Sequence, residues 1–227
     1  KSSTGRPVRR EENDLAQMRD TSLRLGAPPR SAARLCVFVH GRAQTLEEMG
    51  EHVIARLPTG DTHFVLPRSP REAWYDARAV DPASEATLDQ LEEALDAIDG
   101  AIAAAAADGA PAARPVLAGF SQGACVVLEY AMRRDRALGA LVALTGCRVG
   151  PPTEASPRRS LDGLPVYLSG SDADPWIPAS AAFAAAADLA VCGARLRAES
   201  FPGRAHEVSD AEIDAFAEIL AQTGATP

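Results

Sequence analysis

Residues 116–124 read Val116-Leu117-Ala118-Gly119-Phe120-Ser121-Gln122-Gly123-Ala124. The apolar run Val116 to Gly119 predicts a short strand, and the segment from Gln122 to about Arg134 predicts a helix directly after it. Between them lies Gly-x-Ser-x-Gly, a pattern in which a serine occupies a sharp strand-to-helix turn. The glycines are needed there because backbone crowds the turn on either side. Such a turn lifts the serine hydroxyl above the sheet and aims the first helical N–H groups at any negative charge that develops beside it. The plainer alternative, a glycine-rich turn with an incidental serine, is disfavoured by the context, since a strand precedes and a helix follows.

The alternation continues on both sides. Upstream, Leu35-Cys36-Val37-Phe38-Val39 is an apolar run ending at His40-Gly41, as expected of a parallel strand buried on both faces. Thr45 is expected to cap a helix through Leu57, and Phe64 to Leu66 to form a strand stopped by Pro67. Leu88, Leu91, Leu95, Ile98 and Ile102 fall on one face of a long helix after Asp81. Downstream come strands at 140–144, 166–169 and 195–200 and helices at 179–191 and 208–220. Strands alternating with helices of these lengths predict an α/β domain with a mostly parallel sheet and helices on both faces. Residues 1–20, charged at both signs with little that can pack, are expected to be a flexible tail ahead of a single domain over 21–227. The loop 145–164, rich in Pro, Gly and Arg, is the longest and follows a strand, on the side where such sheets place their sites.

Composition narrows the function. The chain has 227 residues, 46% of them hydrophobic and 24% charged, which suits a globular enzyme. Its formal charge of −8 argues against a nucleic-acid partner, because phosphate binding draws on clustered Lys and Arg. Cys36, Cys125, Cys147 and Cys192 show no Cys-x-x-Cys spacing and are expected to be free thiols. No apolar stretch approaches the length of a membrane span, and the N-terminus has no secretory-signal core. A cytoplasmic location is therefore expected, without stable membrane insertion. The chain begins at Lys1 and not at a methionine, which leaves a removed leader open. A homodimer is admitted but not required.

A serine nucleophile needs a base and an acid. In folds of this kind they follow the serine in the order acid, then histidine. His206 is the sole histidine downstream of Ser121, in Pro202-Gly203-Arg204-Ala205-His206, between an expected strand and the last helix. His40 is expected to support the turn beside the site, and His52 and His63 to lie on the surface. For the acid, Ser169-Gly170-Ser171-Asp172-Ala173-Asp174-Pro175 offers two carboxylates. Asp174 is preferred because the proline after it holds its backbone extended, whereas Asp172 is expected to satisfy loop amides. A metal site built from Asp172, Asp174, His206 and Asp210 competes for these residues, but it leaves Ser121 and its glycines without a task.

Together Val39-His40-Gly41-Arg42, Gly119-Phe120-Ser121-Gln122-Gly123-Ala124, Asp174-Pro175-Trp176-Ile177-Pro178 and Pro202-Gly203-Arg204-Ala205-His206-Glu207 resemble the phospholipase/carboxylesterase family, which includes the acyl-protein thioesterases. The likeness covers about residues 35 to 221, and Trp74-Tyr75 resembles a segment of the bacterial branch. It implies an α/β-hydrolase fold without a large lid. It implies cofactor-free and metal-free hydrolysis of a small-molecule carboxylic ester, thioester or lysophospholipid by Ser121, Asp174 and His206. It also implies an oxyanion hole formed by the backbone N–H groups of Arg42 and Gln122. Trp74, Tyr75 and Trp176, in loops beside these motifs, are expected to line an acyl pocket. One departure stands out: the family usually has His-Gly-x-Gly, and here Ala43 replaces the second glycine. Thr145-Gly146-Cys147 also stands where the family often has Ser-Gly. The Ala43 change sustains the other reading, a catalytically weak or silent protein that keeps the hydrolase scaffold to bind a small ligand.

Overall fold

A computed structural model describes residues 22–152 and 157–223; residues 1–20, expected to be a flexible tail, lie outside them. Seven strands form one sheet in the order β1-β3-β2-β4-β5-β6-β7. They are β1 (Leu23–Gly26), β2 (Arg34–Val39), β3 (Thr62–Leu66), β4 (Val116–Phe120), β5 (Ala140–Leu144), β6 (Pro165–Gly170) and β7 (Arg195–Ser200). All neighbours pair in parallel except β1, which runs antiparallel to β3 with Leu23 opposite Leu66. That edge strand was not expected from the sequence. Its four residues are too few to show a period, and only pairing with β3 makes them a strand.

Five helices cover the sheet: α1 (Leu46–His52), α2 (Glu85–Ala107), α3 (Gln122–Arg133), α4 (Ala179–Val191) and α5 (Asp210–Thr223). One apolar cluster joins Leu91, Leu95, Ile98 and Ile102 of α2 with Val126 and Tyr130 of α3 and Leu189 of α4. The other joins Leu46 and Met49 of α1 with Ile213, Phe216 and Leu220 of α5 across the opposite face. The central strands carry apolar side chains to both clusters, which is why β2, β4 and β5 read as continuous apolar runs.

Three expectations are corrected. The helix after Thr45 has its capping box, with Thr45 and Glu48 each bonding the other's backbone N–H, but it ends at His52. Val53 leaves helical geometry (φ −123°) and Ile54–Arg56 form a separate 3-10 turn, since the fully buried Val53 and Ile54 follow the core rather than a straight helix axis. Leu88 is exposed although its four companions are buried; in that first turn Thr87 takes the inward position and donates its hydroxyl to Asp76. His63 is buried, not superficial, because it lies in β3 and its Nδ1 bonds the Ala27 carbonyl at 2.8 Å.

In chain order β2 is followed by β3 on one side and β4 on the other. The loops leaving the carboxyl ends of β2 and β4 therefore diverge and open a crevice, the usual place for a site in such sheets.

Candidate active site

Ser121 stands at the top of β4 with φ +55° and ψ −121°, outside the regions an L-residue adopts without strain. The sheet holds it there: its N–H donates to the Leu144 carbonyl at 3.0 Å, and its own carbonyl accepts from Cys125 N in the first turn of α3. A Cβ on Gly119 would run into the Gly123 backbone, and one on Gly123 would overlap the Val39 carbonyl. The two glycines are thus required by close approach of β4, α3 and β2.

His206 Nε2 lies 2.8 Å from Ser121 Oγ, and its Nδ1 lies 2.6 Å from Asp174 Oδ2. With Nδ1 donating to the carboxylate, Nε2 is left to accept the serine proton. Asp174 has a fully covered side chain. Its other oxygen accepts the backbone N–H groups of Trp176 (2.8 Å) and Ile177 (2.9 Å), a turn that Pro175 keeps open. Burial pushes the Asp174 carboxyl upward, but the Ile177 amide, His206 and the Trp176 amide outweigh it and hold it below the ordinary carboxylate value. Asp172 is exposed and accepts Gly203 N at 2.7 Å, while Asp210 pairs with Arg56. Among the described residues no three His, Cys, Asp or Glu side chains converge as a metal cage would require.

The loop carrying His206 is anchored from below by residues that sequence reading did not single out. Arg204 is buried and donates to Thr145 Oγ1 at 2.8 Å, and its carbonyl accepts the Ser171 hydroxyl at 2.6 Å. Its guanidinium stands 3.5 Å from Glu212, which is fully buried in α5. Glu212 also accepts from Ser169 Oγ and from the N–H and hydroxyl of Ser209. The Ser209-x-x-Glu212 spacing was the available signal, since it is a capping box at the start of α5. Phe120 packs on the His206 ring, 5.0 Å between centroids.

Gln122 and Arg42 line the same cavity as Ser121. As the first residue of α3, Gln122 has a backbone N–H without a carbonyl one turn back to bond. Its buried side chain reaches the loop after β3, accepting Trp74 N at 2.9 Å and donating to the Tyr75 carbonyl at 2.8 Å. Arg42 holds the same loop, with Nη2 donating to the carbonyls of Tyr75, Asp76 and Ala77 at 2.9, 3.2 and 2.7 Å. Next to it Ala43 adopts φ +55°, the left-handed backbone that a glycine takes without strain. Its N–H donates to Glu72 O at 2.7 Å, and Gln44 Oε1 accepts Gly41 N at 2.9 Å. His40 lies beneath: Nε2 accepts Ser69 N, so Nδ1 carries the proton toward Gly41 O. Burial lowers the His40 pKa, in keeping with a neutral ring.

A cavity of about 370 Å³ opens over Ser121 and His206, walled by Tyr75, Ala79, Cys125, Ile177 and Trp176 among others. Tyr75 and Trp176 both line this cavity, the first buried and the second 61% exposed. Trp74 does not, and its expected place in the pocket wall is corrected. Its ring is buried behind the wall, tilted against the His40 ring with 5.0 Å between centroids, and donates Nε1 to the His40 carbonyl at 2.8 Å. The His40 carbonyl and the buried Gln122 side chain hold Trp74 there through its Nε1 and its backbone N–H.

Comparison with known proteins agrees with this geometry. The sequence matches the phospholipase/carboxylesterase family over residues 22–223. It is 31% identical over 124 residues to acyl-protein thioesterase 1 homolog 2 of Dictyostelium discoideum, a match covering 48% of this chain and 56% of that relative. The chain thus spans little more than half the length of that protein. Acyl-protein thioesterase 1 of Saccharomyces cerevisiae is 25% identical over 174 residues, 69% of this chain and 77% of the relative. A phospholipase/carboxylesterase of Dyadobacter fermentans superposes with a TM-score of 0.76 at 28% identity, covering 88% of this chain and 96% of that one. The fold is the α/β-hydrolase fold.

Proposed function

The chain belongs to the phospholipase/carboxylesterase family, whose members hydrolyse ester bonds, and from that premise we propose that it is a serine carboxylesterase acting through an acyl-enzyme on Ser121. The observation that carries this reading is the chain of contacts from Asp174 through His206 to Ser121 Oγ, with the serine on a strained turn at the mouth of a cavity.

His206 takes the proton of Ser121 as Oγ attacks the ester carbonyl, and returns it to the departing alcohol. Asp174 holds the imidazole in the tautomer this needs and stabilises the imidazolium formed. The backbone N–H groups of Arg42 and Gln122 receive the developing oxyanion and act chiefly in the transition state. Water then attacks the acyl-enzyme by the same route. The acyl chain occupies the cavity bounded by Tyr75, Cys125, Ile177 and Trp176, whose size suits short to medium chains of carboxylic esters; thioesters and lysophospholipids share the chemistry. A small-molecule ester met in the cytoplasm, with no nucleic-acid partner, belongs to the same proposal. Among the described residues no helix is long and apolar enough to cross a membrane.

Hydrolysis of p-nitrophenyl esters of graded chain length by the wild type and by Ser121→Ala tests the reading. A loss to background in the variant is expected, and equal rates in both proteins would overturn it. The left-handed Ala43 favours a second reading, a scaffold that binds but turns over poorly. A fluorophosphonate probe separates the two, because a silent binder leaves Ser121 unlabelled. Trp176→Ala should shift chain-length preference more than it changes acetate hydrolysis; equal losses on all lengths would remove Trp176 from the acyl wall.

A further inference from the structure

The charge of the cavity runs against the charge of the protein. The chain carries a formal −8, yet the residues lining the cavity include Arg42 and Arg78 and no Asp or Glu. Among the described residues no carboxylate lies in salt-bridge contact with either guanidinium, although most of the ion pairs elsewhere on the surface are made by arginines. Asp76 feels the Arg42 charge, but it makes no ion-pair contact with Arg78. Asp81 accepts the backbone N–H of Arg78 at 3.3 Å, and Asp76 accepts the Thr87 hydroxyl. Asp174 is turned to His206 and the loop amides.

The two arginines differ in what they have left to give. Arg42 spends Nη2 on three backbone carbonyls, so it contributes a fixed positive field and holds the loop. Arg78 is exposed and lines the same cavity, and among the described residues its guanidinium has no side-chain partner. A guanidinium presents a planar fork of donors that matches a carboxylate, and it does so most effectively where nothing competes for it. The uncharged residues lining the same cavity include Tyr75, Ala77, Ala79 and Cys125. Such a wall takes methylenes and not a second polar group.

We infer that the cavity selects esters whose acyl chain ends in an anion, a carboxylate above all, and that Arg78 recognises that anion. This rests on the esterase reading above and narrows its substrate class. An acyl chain with an apolar middle and a charged end fits a cavity whose lining combines such uncharged residues with an exposed guanidinium and no carboxylate. The long-range field of an acidic protein disfavours anionic substrates, so a preference for them would have to come from this local pair of charges.

The test compares p-nitrophenyl monoesters of dicarboxylic acids, adipate to sebacate, with p-nitrophenyl esters of monocarboxylic acids of matching length. Ser121→Ala supplies the background for each. In the wild type, kcat/KM for the anionic ester at the best-fitting length is expected to exceed its neutral counterpart by about tenfold, the size of one charge-assisted contact. Added salt should shrink that ratio. Arg78→Gln should bring the ratio to about one or below, and Arg78→Lys should restore part of it. Melting temperatures of the variants, expected to match the wild type at this exposed position, separate recognition from folding. A ratio below one at every length in the wild type, or the same ratio in Arg78→Gln, overturns the inference and leaves the esterase reading standing. Turnover of neither series would sink the esterase reading and this one with it.

Discussion

The two backbone arms beside Ser121 are built to different standards. On one side Gln122 opens α3, so its N–H is aimed by a twelve-residue helix packed into the core. Gly119 and Gly123 let that helix close on β2 and β4 with no room to spare. On the other side Arg42 sits in a loop whose next residue, Ala43, is held at φ +55°. Nothing regular fixes that loop. It is held by discrete hydrogen bonds: Ala43 N to Glu72 O, Gly41 N to Gln44, and the Arg42 guanidinium to three carbonyls. An arm carried by a helix has one geometry, while an arm carried by a loop is as accurate as its tethers. Left-handed alanine costs about 1 kcal/mol relative to glycine, an amount those tethers supply.

The comparison can be broken on its stronger side first. Gly123→Ala forces a methyl into the Val39 and His40 carbonyls, which are backbone, with no flexible side chain to yield. It should destabilise the fold by roughly 4 kcal/mol or more and abolish activity, as read by denaturant unfolding and esterase assay. A variant that folds and turns over normally would show that the close approach is not needed. Arg42→Ala leaves the helix arm intact and removes three tethers from the loop arm. A fall in kcat of about 10- to 100-fold is expected, with a modest change in melting temperature, because a misplaced oxyanion donor costs on that order. A change in KM alone would assign Arg42 to binding.

Acid provides a probe common to both arms, since each acts only if Asp174 keeps His206 in place. The Asp174 carboxyl titrates below its unfolded value, so its contribution to stability is complete above the ordinary carboxylate pKa of about 3.9 and is lost as pH falls through the lowered folded value. Asp174→Asn should flatten that part of the acid-unfolding curve, and an unchanged slope would assign it to other carboxylates. The same variant should lower kcat about 10³- to 10⁴-fold at neutral pH by presenting the wrong histidine tautomer. The smallest effect sharpens the comparison: Ala43→Gly relaxes the loop arm without touching its tethers. Stability should change by no more than about 1 kcal/mol, since relief of strain opposes the greater freedom of the unfolded chain, and kcat should rise a few-fold. A fall in kcat would mean that the alanine methyl helps to hold Arg42.

The Asp174–His206–Ser121 constellation was legible because each member sits in a locally recognisable setting: a glycine-flanked turn, a proline-stiffened loop after a strand, and a loop before the last helix. The alternation of β2 through α5 was legible for a similar reason, since buried parallel strands and amphipathic helices print different periods on the chain. What failed was whatever depends on a partner far away in sequence. Leu23–Gly26 became a strand only beside β3, and His63 was buried because β1 and β2 flank it in the sheet. Trp74 turned inward to the His40 carbonyl while Tyr75 kept the wall. The Gln122 and Arg42 side chains clamping residues 74–77, and Arg204 reaching Thr145 under the histidine loop, bridge segments with no pattern in common.

The sequence by itself determined which residue types were available for the chemistry and in what order, because turns, caps and hydrophobic period are properties of neighbouring residues. Tertiary structure alone decided how accurately those residues are held and what charge the cavity presents. Hydrogen bonds and burial between distant segments depend on where the chain returns in space, and no local pattern records that.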